Sequence, residues 1–248
     1  MPNSMKYLTV ITVTYNAEKT LEKTILSVIG QTAFAQMDYI LVDGGSSDRT
    51  LDIAHRYKAN FATIISERDH GIFDAMNKGA KLAQTPWIVF MNAGDQFYDS
   101  CTVASLRLAT SQPDHVIYGD CIRVYNDGQT EYRKARPFFE VDSGIPGIGI
   151  CHQSIYLPTS WILSHPYRWQ QFPHCADFEQ IYAFWQERRR LQYVDRPLCL
   201  YAYGDGFSSQ ASHFSQVFEE NALITHQRHS LQYYKQKLRM MLSHCKFC

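Results

Sequence analysis

The sequence predicts an α/β fold built on a mostly parallel sheet, and three observations carry that prediction. Short apolar runs rich in β-branched residues alternate with segments of helical periodicity through the first hundred residues. The connections between them are only a few residues long, as βαβ units require. A chain of 248 residues that is 45% hydrophobic can bury a core of this size without disulfides or a structural metal.

Leu8 to Thr14 is the first buried strand, and Asn16 is expected to cap a helix whose apolar positions are Leu21, Ile25, Val28 and Ile29. Met37 to Val42 is the second strand, Asp48 or Thr50 opens the second helix, and Ala62 to Ser66 is the third strand. Ile72, Ala75, Met76, Ala80 and Ala83 mark a third helix; Trp87 to Met91 is a fourth strand ending at Asn92-Ala93-Gly94-Asp95. In the second half, Ile122 to Tyr125 and Thr130 to Arg133 flank Asn126-Asp127-Gly128, an antiparallel hairpin signal. Pro, Gly and aromatic residues dominate Pro137 to Tyr167, within which His152-Gln153-Ser154 precedes an apolar strand. Phe178 to Trp185 reads as a helix and Leu198 to Tyr203 as a strand. Leu231, Tyr234, Leu238 and Met241 lie on one stripe of a basic amphipathic C-terminal helix. The expected organisation is one domain over 1–210, in two halves (1–100 and 101–210), followed by the basic segment 211–248.

With 24 basic and 24 acidic side chains and a pI near 7, the chain is not a general nucleic-acid binder. The balance hides an asymmetry: Asn221 to Cys248 carries Arg228, Lys235, Lys237, Arg239 and Lys246 with no acid. The seven cysteines are scattered and odd in number, so free thiols are expected; Cys245 and Cys248 form a C-x-x-C without the second pair that structural zinc needs. No apolar run is long enough to span a membrane, and Met1 to Lys6 lacks the apolar region of a leader, so a cytoplasmic location is expected.

Ligands of open α/β sheets bind beyond the carboxyl ends of the strands. Those positions are Tyr15 and Asn16, Asp43 to Asp48, Glu67 to Gly71, and Asn92 to Asp95. Carboxylates in three of these clusters suit a hard divalent cation that bridges to phosphate. Neither a G-x-G-x-x-G after a strand nor a P-loop is present, so phosphate must be neutralised in another way.

Four motifs occur in order: Ile11-Thr12-Val13-Thr14-Tyr15-Asn16, Val42-Asp43-Gly44-Gly45-Ser46-Ser47-Asp48, Gly71-Ile72-Phe73-Asp74-Ala75-Met76-Asn77-Lys78-Gly79, and Asn92-Ala93-Gly94-Asp95. Over about residues 6 to 205 the chain resembles the family-two inverting glycosyltransferases of GT-A fold, in particular bacterial enzymes of exopolysaccharide and lipopolysaccharide assembly. The resemblance implies a mostly parallel sheet flanked by helices, with a small antiparallel portion and a C-terminal helix. It implies a nucleotide-diphosphate sugar donor, with UDP-sugar the expected form, and a saccharide or polyprenyl-diphosphate-linked acceptor. Tyr15 would stack on the base, Asp43 would hold the base or ribose, and Asn16, Asp69, Gly71 and Asn92 would line the nucleotide site. The family's second motif commonly has two consecutive acids; here Gly44 stands in place of the second. Asp95 matches the last acid of the D-x-D type motif and would hold Mg²⁺ or Mn²⁺. His152 would lie near the diphosphate or acceptor. Asp177, in His174-Cys175-Ala176-Asp177-Phe178, would be the general base, with Glu179 as its fallback.

Gly204 to Ser209 reads as a loop able to close over the donor. The basic C-terminal segment is expected to pack on the domain or a second copy, or to meet the inner membrane surface. Two other functions fit these residues less well. A nucleotidyltransferase needs a basic Gly-rich loop after the first strand, which Tyr15-Asn16-Ala17-Glu18 is not. A non-catalytic sugar-nucleotide-binding protein would bind donor without turning it over.

Overall fold

The computed structural model describes residues 5–136, 149–204 and 213–238, apart from 232 and 236. The elements in chain order are β1 (Leu8–Thr14), α1 (Leu21–Ile29), β2 (Met37–Asp43), α2 (Thr50–Arg56), β3 (Thr63–Ser66), α3 (Ile72–Ala80), β4 (Trp87–Phe90) and β5 (Gln96–Phe97). They continue with α4 (Thr102–Ser105), β6 (Val116–Tyr125), β7 (Thr130–Arg133), β8 (Ile155–Pro158), α5 (Thr159–Ser164), α6 (Ala176–Gln186), β9 (Leu191–Tyr203) and α7 (Phe214–Ile224).

All seven residues of β1 are buried, because the strand is covered on both faces. Its side chains alternate between two cores: Leu8 and Val10 join Leu21, Ile25 and Val28 of α1, whereas Ile11 and Val13 join Phe73 and Met76 of α3. Parallel pairing of β1 with β2 and β4, and of β2 with β3, builds the first half of the sheet. Helix α3 lies tightly on this layer at Gly79, where a Cβ would meet Ile11 Cγ2 at 2.6 Å.

The sheet continues in the order β3-β2-β1-β4-β8-β6-β9-β5, with β7 paired to β6. Strand β8 runs antiparallel to both β4 and β6, and β7 closes the expected hairpin. The expected strands cover only Ile122 to Tyr125 and Leu198 to Tyr203 of this region. Instead β6 extends back to Val116 and its long partner is β9, parallel to it from Val116 opposite Leu191 to Tyr125 opposite Tyr203, with register shifts around Asp120. Local patterning saw only the ends of these two strands, because their middle is an interior pairing of distant segments.

Two local expectations change, and the start of α2 at Asp48 and Thr50 holds. Asn16 does not cap α1: the helix starts at Leu21 after Thr20, and Asn16 adopts φ 47°. Asp48 orders the start of α2 by accepting the Thr50 amide at 2.9 Å. At the C-terminal end, Tyr233 rather than Tyr234 is buried, stacked on Phe218 of α7, and Leu231, Tyr234 and Leu238 are exposed. Lys237 and Arg228 reach Glu219 of α7 at 2.6 and 3.8 Å. No helix among the described residues is long and apolar enough to cross a membrane. Met241, the C-x-x-C, residues 205–212, which include all of the expected closing loop after Gly204, and 137–148 lie outside the described residues.

Candidate active site

A cleft of about 1150 Å³ opens at the carboxyl ends of β1 and β4 and against the β6–β7 hairpin. Tyr15, Asn16, Asp69, Gly71, Asn92, Asp95, His152 and Asp177 all line it, although they come from five separate stretches of chain. Asp43 and Glu179 are not part of that lining.

At the entrance, Tyr15 follows β1 and is 64% exposed, an aromatic side chain beside the cleft. Asn16 ties two loops together: its amide donates to Ser46 Oγ at 2.8 Å and its side-chain oxygen accepts the Ser47 amide at 2.9 Å. The Asp43 carboxylate is fully buried and turned inward. It accepts the amides of Gly45 and Ser46 at 3.1 and 3.0 Å, the Ser66 hydroxyl at 2.6 Å, and the Ser46 hydroxyl. Asp43 therefore organises the loop after β2, as Asp does in Asx turns.

The glycine at position 44 has a physical reason. A Cβ there would come within 2.5 Å of Asp69 Oδ2, so the carboxylate of the loop after β3 occupies the space that a side chain at 44 would fill. Asp69 Oδ1 in turn accepts the Gly71 amide at 2.9 Å, and Gly71 turns into α3 with φ 113°, a conformation that favours glycine.

At the base of the cleft Asp95 is 4% exposed, and burial raises its carboxyl to about 7 against the pull of the Ala202 amide and Lys23. Its Oδ1 accepts Ala202 N of β9 at 2.9 Å, and the Gln153 side chain also hydrogen-bonds it. Nearby in the same turn, the buried Asn92 Oδ1 has no hydrogen-bond partner. A buried carboxylate and an unpartnered amide oxygen are hard donors, and this set fits Mg²⁺ or Mn²⁺. Among the described residues no three His, Cys, Asp or Glu side chains group as metal ligands. Donor phosphate and water would have to complete such a shell.

His152 is stacked on Phe90 at 5.4 Å and its Nε2 shares a 2.8 Å hydrogen bond with Tyr167 Oη. Burial lowers its pKa to about 4, so at neutral pH the imidazole is uncharged. Asp177 sits in the first turn of α6, and burial raises its carboxyl to about 6, with a smaller push from the Glu220 charge. The Phe178 amide, 2.8 Å from Asp177 Oδ1, opposes that rise.

The sequence did not single out several groups that meet here. Lys23, Arg123 and Arg133 line the cleft and bring positive charge to it. The hairpin register held the signal for two of them, since Cys121 and Arg123 share a strand face and Arg133 lies opposite Cys121. Glu220 of α7 accepts the amides of His174 and Cys175 at 3.0 and 2.9 Å and pairs with His174 Nδ1 at 2.6 Å. It anchors the loop that enters α6 just before Asp177. No local pattern could mark it, because its partners are more than forty residues away. Glu179 is paired with Arg168 on the other side of the helix start.

Residues 9–175 match the family described as Glycosyl transferase family 2. The chain belongs to glycosyl transferase family 2. A family relative, the PGL/p-HBAD biosynthesis glycosyltransferase of Mycobacterium bovis (strain BCG), is 34% identical over 152 residues, 59% of this chain. The match spans 57% of that relative's length. Among solved structures, S. aureus TarS in complex with UDP-GlcNAc superposes with TM-score 0.63 at 15% identity, over 88% of this chain and 66% of that one. The mannosyltransferase PcManGT from Pyrobaculum calidifontis, in complex with GDP-Man and Mn²⁺, gives TM-score 0.63 at 15% identity, over 96% of this chain and 66% of that one. At these identities the structures establish the fold, which is the GT-A arrangement of family 2 transferases.

Proposed function

We propose that this family 2 chain is an inverting glycosyltransferase that moves a sugar from a nucleoside-diphosphate sugar to a hydroxyl of a glycan or lipid-linked acceptor. The observation that carries the proposal is the meeting of Asp95, Asn92 and Asp177 in one cleft at the strand ends. Donors named with the structural neighbours, UDP-GlcNAc and GDP-Man, support a nucleoside-diphosphate sugar, and UDP-sugar is the donor we favour.

The exposed Tyr15 ring offers a stacking face for the base. Asp69, held by Gly71, presents the carboxylate nearest to the missing side chain of Gly44, in place of a second acid at that motif. Asp95 and Asn92 would hold Mg²⁺ or Mn²⁺. Bound there, the cation supplies charge neutralisation for the departing diphosphate. Lys23, Arg123 and Arg133 add fixed positive charge to the same space. The neutral His152 can donate or accept a hydrogen bond at the diphosphate or acceptor without bringing charge. Asp177 takes the acceptor hydroxyl's proton as the acceptor oxygen bonds to the anomeric carbon and the bond from that carbon to the diphosphate breaks on the opposite face.

The domain boundary at 210, the role of the basic segment in meeting anionic lipid or a second copy, and the place in cell-surface polysaccharide synthesis belong to the same proposal. The exposed Leu231, Tyr234 and Leu238 support a surface role for that segment. The test is a panel of sugar nucleotides, with and without Mn²⁺, read by thermal shift and slow donor hydrolysis. Stabilisation by one donor that requires metal and is lost in Asp95→Ala supports the proposal. Binding without hydrolysis or transfer to any acceptor would favour a non-catalytic sugar-nucleotide-binding protein.

A further inference from the structure

Tyr167, in the segment between α5 and α6, is held at both its backbone and its ring. Its amide donates to Asn77 Oδ1 at 2.9 Å and its carbonyl accepts the Asn77 side-chain amide at 2.8 Å, which ties the segment to α3. The ring is buried and packs against Phe73 and Phe90, with centroids 5.3 and 5.8 Å apart. The hydroxyl meets His152 Nε2 at 2.8 Å, and the imidazole is fixed in turn by its stack on Phe90. Nothing in the proposed transfer uses this tyrosine.

The bond between the two side chains decides where the imidazole carries its proton. A buried phenol O–H needs an acceptor, and among the described residues His152 Nε2 is the one hydrogen-bond partner of Tyr167 Oη. The hydroxyl therefore donates, and Nε2 accepts with its lone pair. Burial keeps the ring uncharged at neutral pH, so its single N–H lies on Nδ1. Among the described residues Nδ1 has no protein partner, and it is not one of the unpartnered atoms sealed from solvent. Since His152 lines the cleft, that N–H is available to a bound ligand. The pair is also coupled to both carboxylates of the proposed mechanism: Gln153, the next residue, hydrogen-bonds Asp95, and the Asp177 charge acts on the Tyr167 hydroxyl.

We propose that Tyr167 is a positioning residue that fixes His152 in the Nδ1–H tautomer, so that the imidazole presents a donor and not a lone pair to a phosphate oxygen of the bound sugar nucleotide. The ligand in this statement rests on the transfer proposed above; the tautomer rests on the contacts alone. A fixed, uncharged N–H gains strength as negative charge develops on the departing diphosphate, and it needs no reorganisation at that moment. With Nε2 occupied and Nδ1 protonated, His152 has no free lone pair for the acceptor's proton, which leaves that task to Asp177. Without the Tyr167 hydroxyl the proton is free to move to Nε2, and the bare Nδ1 would then face the phosphate and repel it.

The experiment is long-range proton–nitrogen NMR of the intact protein labelled with ¹⁵N-histidine, which separates protonated from bare ring nitrogens at neutral pH. His152 is identified as the signal set lost in His152→Gln. The expected result is a protonated Nδ1 and a bare Nε2 in the parent, and the Nε2–H form or a mixture in Tyr167→Phe. In that variant kcat should fall about tenfold, the scale of one hydrogen bond, with donor KM within about twofold of the parent. An Nε2–H form in the parent overturns the proposal, as does an unchanged tautomer or a parental kcat in Tyr167→Phe. The parent spectrum requires neither turnover nor the folding of Tyr167→Phe, so failure of the tautomer and failure of the transfer reading are told apart.

Discussion

Replacing Asp177 with Asn separates base catalysis from everything else this residue does. The side chains are the same size, and the Phe178 amide that Asp177 Oδ1 now accepts at 2.8 Å can be met equally by the Asn oxygen, so the start of α6 is expected to hold. Donor binding, contributed from the other wall of the cleft, is expected to persist. The transfer rate should fall by roughly 10²-fold or more, the scale of a general-base contribution. The structure adds a quantitative signature. Because burial lifts the Asp177 carboxyl to about 6, only about a tenth of it is ionised at pH 5 and nearly all at pH 7.5, so the base alone lowers the parental rate close to tenfold between them, on top of any loss as Asp95, raised to about 7, takes up a proton. A carboxylate at an ordinary pKa of about 4 would lose almost nothing over that interval. The assay is a pH–rate profile of sugar transfer at saturating donor, for the parent and Asp177→Asn, with thermal unfolding at each pH as a control. A parental rate that is flat from pH 5 to 7.5 refutes the assignment of the base, as does a variant that transfers within about threefold of the parent.

Other perturbations follow from the same geometry. Glu220→Gln removes a negative charge that raises the Asp177 pKa and exchanges one of the two oxygens that hold His174 and Cys175 for an NH2, so kcat should fall while the acid limb of the pH–rate profile moves to lower pH. A loss of rate with the limb unmoved would leave Glu220 a purely structural role. Gly44→Ala places a Cβ where Asp69 Oδ2 now sits; unfolding in urea should show a change under about 1 kcal/mol, because the carboxylate end can swing away. Donor KM should rise about tenfold as the Asp69 hydrogen bond to Gly71 is lost, with kcat less affected. Replacing Leu231, Tyr234 and Leu238 together by Ser removes an exposed apolar stripe and should abolish flotation with anionic vesicles without lowering the melting temperature. Equal flotation by the triple variant would exclude that stripe as the membrane contact.

Much of this molecule was legible without coordinates. The alternation of Val10 and Ile11 assigns the two faces of β1, and the runs ending at Thr14, Val42, Ser66 and Met91 mark the carboxyl ends of four strands, where ligands of such sheets bind. Four motifs in order identify the family, and eight of the nine residues expected at the site line one cleft. These features are local: periodicity and turn chemistry act over a few residues and leave their mark in sequence.

Only the tertiary structure decided what depends on distant partners. It turned Asp43 away from the cleft, because two serine hydroxyls and two amides satisfy its carboxylate in the interior. It gave Gly44 its reason, in an Asp69 carboxylate that arrives from another loop. The parallel pairing of β6 with β9 put Ala202 on Asp95 and Cys199 beside Cys121, and α7 delivered Glu220 to the entrance of α6. Those contacts join segments separated by tens of residues, and their energies depend on burial and approach that no local pattern encodes. For that reason the raised carboxyls of Asp95 and Asp177, and the bond between Tyr167 and His152, emerge only when the chain is folded.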